Sequence, residues 1–145
     1  MDWDAQYEQW QTARSRRQNA EAQRIVAAAR KRVSESRTDG WAWLCEALMD
    51  RKKKWFVATL FRDQPIPRRL FQPMMDASVV DVDASSNRFF IEPCVETFGN
   101  AAVMEALAAL KASGRVSDDK ITMALYWAKH RARKVRSLGR KVVDG

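Results

Sequence analysis

The sequence has little cysteine, histidine, glycine or proline. Its 145 residues include two cysteines, one histidine, five glycines and four prolines. Because Cys45 and Cys94 are far apart and His130 is alone, the chain lacks the ligands of a metal centre and the pairs of a disulfide framework. We therefore expect no metal and no other cofactor. The scarcity of turn residues also argues against a β-sandwich, which needs closely spaced turns.

Long apolar runs are missing as well. No segment approaches the ~18 consecutive apolar residues of a membrane helix, and the start of the chain, Met1–Asp4, shows no basic-then-apolar signal pattern. We therefore expect a cytoplasmic protein without a membrane partner. Apolar residues make up 46% of the chain, which is enough for the core of one folded domain of ordinary size.

The net charge of +8 is arranged in blocks of alternating sign. Residues 51–69 hold seven basic groups and one acidic group, 70–110 hold one and six, and 111–145 hold ten and three. Basic runs such as Arg14–Arg17 and Arg30–Arg32 are either solvated surface or phosphate contacts, depending on whether they meet on one face. The candidates for nucleic-acid contact are Arg51, Lys52, Lys53, Lys54, Arg131, Arg133 and Lys134.

Hydrophobic periodicity predicts helices along the whole chain. Residues 4–37 contain no proline or glycine and many strong helix formers, which predicts one long N-terminal helix, or two joined end to end. Trp3, Tyr7 and Trp10 form one apolar stripe at i, i+4 and i+7. Residues 12–18 have almost nothing to bury, so we expect the first part to be a loosely docked arm.

Glycine and proline mark where the later helices end. Pro65 and Pro67 lie too close together for a helix interior and predict a turn. Gly99 and Gly114 each follow an apolar helical stripe and are best explained as helix stops. No segment makes a credible partner for a β-strand, so the fold class expected is all-α.

The chain contains an internal repeat. A shift of 34 residues places Lys54–Val57 on Arg88–Ile91, and both segments read basic, aromatic, aromatic, β-branched. A third, weaker copy begins at Lys120. Helix pairs that repeat every ~30–45 residues are typical of α-solenoids. The spaced Trp, Gly and Tyr of tetratricopeptide repeats are not visible, so the pattern favours HEAT-like packing.

These segments resemble a family of bacterial HEAT-repeat-like proteins. The resemblance lies in Lys54–Ala58 with Pro65–Pro67 and Leu70-Phe71, in Ser86–Cys94 with Phe98-Gly99, and in Ala124–Ala128. It implies a helical-repeat fold and, by analogy alone, a binding role. We therefore expect a short, right-handed, HEAT-like α-solenoid of stacked helix pairs with a long N-terminal helix. The expected divisions are residues 1–38 as a basic helix or arm, 39–128 as the repeats and 129–145 as a basic tail.

The function expected is a non-enzymatic scaffold that binds a protein or peptide partner in its groove. Self-association through the N-terminal helix is a further expectation. The candidates for partner binding are Asn87, Arg88, Glu92 and Trp127. The structural alternative for this set is an Arg88–Glu92 ion pair at i, i+4, with Trp127 in the core.

Two other functions fit the sequence. The first is a basic protein that binds nucleic acid through the phosphates. The second is a DNA glycosylase of the HEAT-like type, which would use Trp and Asp in a basic groove. Against catalysis, no nucleophile–base pair stands out, and His130 lies between Lys129 and Arg131. The chain also has no glycine-rich phosphate loop.

Overall fold

The computed structural model describes residues 2–35, 39–80 and 87–144, with side chains described for 2–35, 40–80 and 87–134. All regular secondary structure in these ranges is helical, which confirms the all-α prediction. The helices are α1 (Trp3–Ser15), α2 (Asn19–Glu35), α3 (Asp39–Leu48), α4 (Lys53–Leu60), a short 3₁₀ helix (Arg68–Leu70), α5 (Phe71–Ser78), α6 (Arg88–Phe98), α7 (Asn100–Ala112) and α8 (Asp118–Asp144).

The chain divides into two compact units, Met1–Gln64 and Pro65–Gly145. The division lies at the proline-containing turn that the sequence predicts. Helices α1 to α4 form the first unit, and the 3₁₀ helix with α5 to α8 forms the second. The expected boundary between residues 128 and 129 falls inside α8, which continues without a break.

Of the two alternatives predicted for residues 4–37, the single long helix is wrong: the segment forms two helices, and these fold back on each other instead of continuing end to end. The helix ends at Ser15, Arg17 takes a left-handed backbone conformation with φ of +56°, and α2 turns back along α1. Near the end of α2, Arg32 donates a 2.7 Å hydrogen bond to Gln6 near the start of α1, so the two helices are antiparallel. The break falls in residues 12–18 because this segment has almost no apolar side chains to hold it straight against a neighbour.

The expected loosely docked arm is also wrong, since α1 supplies much of the core of the first unit. Trp10 and Tyr7 are buried, and their ring centroids lie 5.0 and 5.9 Å from that of Phe56 on α4. Trp3 stacks on Trp43 of α3 at 5.5 Å. Each aromatic ring contributes a large apolar area, so this cluster binds α1 tightly to the rest of the unit.

Helix α6 is the centre of the second unit, where it packs against α5, α7 and α8. Gly99 ends α6 with φ of +91°, and Gly114 follows α7 with φ of +71°. A side chain is strained in this region of backbone space, which confirms both predicted helix stops. The buried apolar side chains of these helices include Met74, Met75, Phe90, Ile91, Cys94, Val103, Leu107, Ile121, Ala124 and Ala128.

The two copies of the 34-residue repeat have the same local arrangement at the start of α4 and of α6. Phe56 and Phe90 are both buried, and the aromatic residue before each is more exposed. The ammonium of Lys54 lies 5.2 Å from the ring centroid of Trp55. The guanidinium of Arg88 lies 5.1 Å from the centroid of the next ring in its own copy. The two copies therefore share a buried phenylalanine and a cation beside an aromatic ring, although Lys54 is buried and Arg88 is exposed.

Candidate functional site

Helix α8 concentrates positive charge. It spans 27 residues, and from Lys120 to Val143 it contains eight basic residues and no acidic residue. Asp118 and Asp119 precede this stretch in the first turn, where carboxylates are favoured by the helix dipole. The cationic stretch is thus free of acidic residues over more than twenty positions.

The described part of α8 is amphipathic. From Tyr126 onward its exposed residues recur at i, i+3, i+4, i+7 and i+8, which places them on one face of the helix. The opposite face is buried in the second unit through small and branched apolar residues such as Ile121 and Ala128. The exposed residues of this stretch are Tyr126, Lys129, His130, Arg133 and Lys134.

Aromatic rings are interleaved with these cations. Tyr126 is 57% exposed, and its ring is nearly parallel to that of His130, with centroids 6.2 Å apart and an interplanar angle of 8°. The ring of Trp127 meets both of them edge to face, at 5.0 Å from Tyr126 and 6.1 Å from His130. Three rings therefore lie together over one turn of α8.

Two residues at the start of α6 extend this surface. The guanidinium carbon of Arg88 lies 5.3 Å from the ring centroid of Trp127 and 5.1 Å from that of Phe89. Phe89 is 40% exposed and Arg88 is exposed, so both reach solvent. We name the whole set the aromatic–basic surface, which consists of Arg88, Phe89, Tyr126, Trp127, Lys129, His130, Arg133 and Lys134.

Arg131 does not belong to this surface, although the sequence suggests it as a phosphate contact. Its side chain is 18% exposed and turns toward α6, where it pairs with Glu96, and its Nη1 atom lies 3.9 Å from Glu92 Oε2. The expected Arg88–Glu92 pair is replaced by this contact between helices. Arg131 lies off the exposed face of α8, and a charge that is largely buried needs a partner within the unit. This explains why Arg131 pairs with glutamates instead of facing solvent.

Asn87 is also engaged inside the fold. It is 1% exposed, and its side-chain nitrogen donates a 3.4 Å hydrogen bond to the carbonyl oxygen of Lys120. This bond links the start of α6 to the start of α8. The predicted partner-binding residues are therefore gathered at the α6–α8 contact, where Arg88 is exposed and Trp127 is half-buried.

The basic run in the first unit is split by its helix. Lys54 is 4% exposed, and Lys53 pairs with Asp4 at 3.2 Å, which leaves Arg51 and Lys52 as the exposed members of the run. Hydrogen bonds from Trp43 and Lys53 lower the pKa of the Asp4 carboxyl. The run is divided because α4 begins at Lys53. The helix places the side chains of Lys53 and Lys54 against the rest of the first unit, whereas Arg51 and Lys52 precede it.

The cysteine thiols and the grouping of acidic side chains can be described for part of the chain. Both thiols are free, and burial raises the pKa of Cys94 to about 12. Burial also raises the pKa of Cys45. Among the residues described, no three His, Cys, Asp or Glu side chains are grouped for a metal ion. Over the same residues, no helix combines the length and apolarity needed to cross a membrane.

Sequence reasoning missed part of the aromatic–basic surface. Phe89, Tyr126, Lys129 and His130 are not among the residues that the sequence suggests for binding. The available signal was the helical spacing of Tyr126, His130 and Lys134, each separated by four positions in a stretch without acidic residues. No pattern in the sequence indicates that Phe89 is exposed, because Phe89 and the buried Phe90 are adjacent residues of the same type.

No protein-family model matches the chain, and neither a curated protein nor a solved structure shows significant similarity to it. The geometry and charge of the aromatic–basic surface are therefore the basis for inferring function.

Proposed function

We propose that the protein binds nucleic acid through its phosphates, and that the aromatic–basic surface is the binding site. The observation that carries the proposal is the exposed face of α8, which presents Lys129, Arg133 and Lys134 with no acidic residue between them. Arg88 adds a fourth exposed cation beside the same aromatic cluster. Cations grouped in this way attract a polyanion, and binding is strengthened by the release of its counterions.

The acidic groups near this surface oppose binding weakly. Glu92 and Glu96 are paired with Arg131, so part of their charge is compensated inside the α6–α8 contact. Asp119 is at the start of α8, seven residues before Tyr126, which is about 10 Å along the helix. The balance of charge on the exposed surface therefore favours an anionic partner.

Salt dependence tests this proposal directly. Four phosphate contacts predict a slope of log K against log salt of about −2.8 for a single strand and about −3.6 for a duplex, at about 0.7 and 0.9 for each contact. Changing Lys129, Arg133 and Lys134 to Gln leaves one of the four, so the slopes fall to about −0.7 and −0.9. Fluorescence anisotropy with labelled oligonucleotides between ~50 and ~200 mM salt measures both quantities.

Two control variants locate the site. The first changes Arg16, Lys31 and Arg62 to Gln, three exposed residues of the first unit, and so removes the same charge. We expect it to bind with the slope of the wild type. The second changes Arg51 and Lys52, the remaining exposed members of the other candidate run. The proposal is overturned if the slope of log K against log salt falls only in this double variant. It is also overturned if the wild type does not bind at ~50 mM salt.

A peptide-binding scaffold is the second candidate. The exposed rings of Phe89 and Tyr126 support it, because large aromatic side chains often anchor protein partners. The repeated arrangement of Lys54 and Arg88 supports the related proposal of a short HEAT-like stack of helix pairs. Binding of this kind depends on the rings and changes little with salt, which separates it from phosphate contact. The glycosylase alternative stays a prediction.

A further inference from the structure

We infer that the aromatic–basic surface is a stacking platform for single-stranded nucleic acid, with unpaired bases lying on the rings of Tyr126 and Phe89. The inference rests on the proposed function and adds the class of ligand to it. The cations alone would serve a duplex equally well. The aromatic rings are the independent observation that distinguishes the two ligands.

The exposure of the rings is the first argument. Tyr126 is 57% exposed and Phe89 is 40% exposed, whereas the neighbouring Phe90 is 1% exposed. Every nucleobase has a flat π-face, and stacking on an aromatic side chain strengthens binding about 5- to 150-fold for each base. In a duplex the base faces are already stacked on one another, so the rings could reach only the edges and the backbone.

The spacing of rings and cations is the second argument. Tyr126 and His130 are nearly parallel and one turn apart, and Lys129, Arg133 and Lys134 lie beside and beyond them on the same face. The helix rises about 12 Å from Tyr126 to Lys134. At about 3.4 Å for each stacked nucleotide, this length suits three or four nucleotides. Bases on the rings would therefore leave their phosphates within reach of the cations.

The planar guanidinium of Arg88 is the third argument. It lies over both Phe89 and Trp127, which holds it against the aromatic cluster instead of leaving it to rotate in solvent. A guanidinium held in this way offers a further flat, charged surface to a base or a phosphate. The start of α6 thus continues the platform that α8 begins.

A membrane surface is the other ligand expected of a basic amphipathic helix. That mode requires the apolar face of the helix to be available for the lipid. In the part of α8 whose side chains are described, the apolar face, with Ile121, Ala124, Ala128 and Ala132, is buried in the second unit. The exposed face is too polar to replace it, so the geometry favours the polynucleotide.

The test compares single strands with a duplex in the full-length protein. The probes are oligo(dT) and oligo(U) of about twelve nucleotides and a duplex of the same length, measured by anisotropy at ~50 and ~200 mM salt. Tyr126→Ala and Phe89→Ala should each weaken single-strand binding about 5- to 150-fold. For Tyr126→Ala, duplex affinity and the salt slope should stay at the wild-type values, since the phosphate contacts remain. Tyr126→Phe should retain binding, because the ring is preserved.

A matched control removes an exposed apolar side chain elsewhere. Met49 of the first unit is 67% exposed, and Met49→Ala should bind all three probes like the wild type. Far-ultraviolet circular dichroism of each variant confirms that it is folded. Tighter binding of either single strand than of the duplex supports the inference. A difference in affinity between oligo(U) and oligo(dT) would show that the 2′-hydroxyl is recognised.

Failure of the inference differs from failure of the proposed function. If Tyr126→Ala and Phe89→Ala bind single strands normally while the Lys129, Arg133 and Lys134 variant does not, phosphate binding stands and stacking is overturned. Stacking is also overturned if both alanine variants lose duplex and single-strand affinity equally. If the wild type binds no probe at ~50 mM salt, both ideas are overturned.

Discussion

The Nε atom of Arg30 donates a 2.7 Å hydrogen bond to the carbonyl oxygen of Leu60, the last residue of α4. Its Nη2 atom donates to the carbonyl oxygens of Thr59 and Arg62 at 3.0 and 3.3 Å. The last carbonyls of a helix have no partner within the helix, and they carry the negative end of its dipole. Arg30 therefore caps α4 from α2, and one member of a basic run has a structural role.

Replacement of Arg30 should destabilise the first unit. Arg30→Met keeps the aliphatic stem and removes every donor, so we expect a loss of about 1.5–3 kcal/mol, in the range for hydrogen bonds to charged groups. The exposed neighbour gives the control, and Lys31→Met should change stability by no more than about 0.5 kcal/mol. Urea unfolding followed by tryptophan fluorescence suits this measurement, because five of the six tryptophans are in the first unit. Equal effects of both variants would contradict the cap.

Phe89 and Phe90 should separate binding from stability. Phe90→Ala removes a ring that is 1% exposed and should cost about 3–5 kcal/mol of the free energy of unfolding. Phe89→Ala removes a ring at the surface and should cost under about 1 kcal/mol. Chemical unfolding followed by circular dichroism measures both. A Phe90→Ala protein as stable as the wild type would mean that the buried face of α6 is misassigned.

Asp50 should make the first unit sensitive to acid. Its Oδ1 atom accepts hydrogen bonds from the backbone nitrogens of Lys53 and Lys52 at 2.9 and 2.8 Å, and these bonds lower the pKa of the carboxyl. A pKa that is lower in the folded state stabilises the fold above the unfolded value of about 3.9 and ceases to do so as pH falls through the folded value. Loss of these two hydrogen bonds in Asp50→Ala should cost about 1 kcal/mol at pH 7.

Asp50→Asn is the matched control for the pH dependence. It keeps an oxygen acceptor but has no carboxyl to titrate, so its stability relative to the wild type should improve as pH falls below the unfolded pKa of about 3.9. Thermal or urea unfolding at a series of pH values gives the difference. If the stability difference between Asp50→Asn and the wild type stays constant as pH falls, the Asp50 carboxyl does not contribute to the acid sensitivity.

Arg131 should matter for stability and Lys129 for binding, although the two are separated by one residue. Arg131→Met removes the cation that pairs with Glu96 and Glu92 and should destabilise the second unit by about 1–3 kcal/mol. Lys129→Gln should leave stability unchanged and weaken oligonucleotide binding. A double-mutant cycle of Arg131→Met with Glu96→Gln should show a coupling of at least about 0.5 kcal/mol. Additive effects in that cycle would contradict the ion pair.

The lysines at residues 52–54 show where sequence reasoning was insufficient. As a run of like charges they suggested one phosphate-binding patch, yet Lys54 is buried and Lys53 pairs with Asp4, 49 positions earlier. Replacing all three would therefore mix a loss of stability with any loss of binding. The roles of these side chains depend on contacts with distant parts of the chain, which no local pattern records.

Local properties of the chain were sufficient for most of the helices and their ends. Helix propensity and apolar spacing act over a few residues, and the backbone freedom of Gly99 and Gly114 is a property of the residue itself, so these features were predictable. The direction in which a charged side chain points is different. Arg30 reaches a carbonyl 30 residues away and Arg131 a carboxylate 35 residues away, and these meetings exist only after the helices have packed. The surface of α8 became a candidate site for the same reason, because packing buried one face and left rings and cations together on the other.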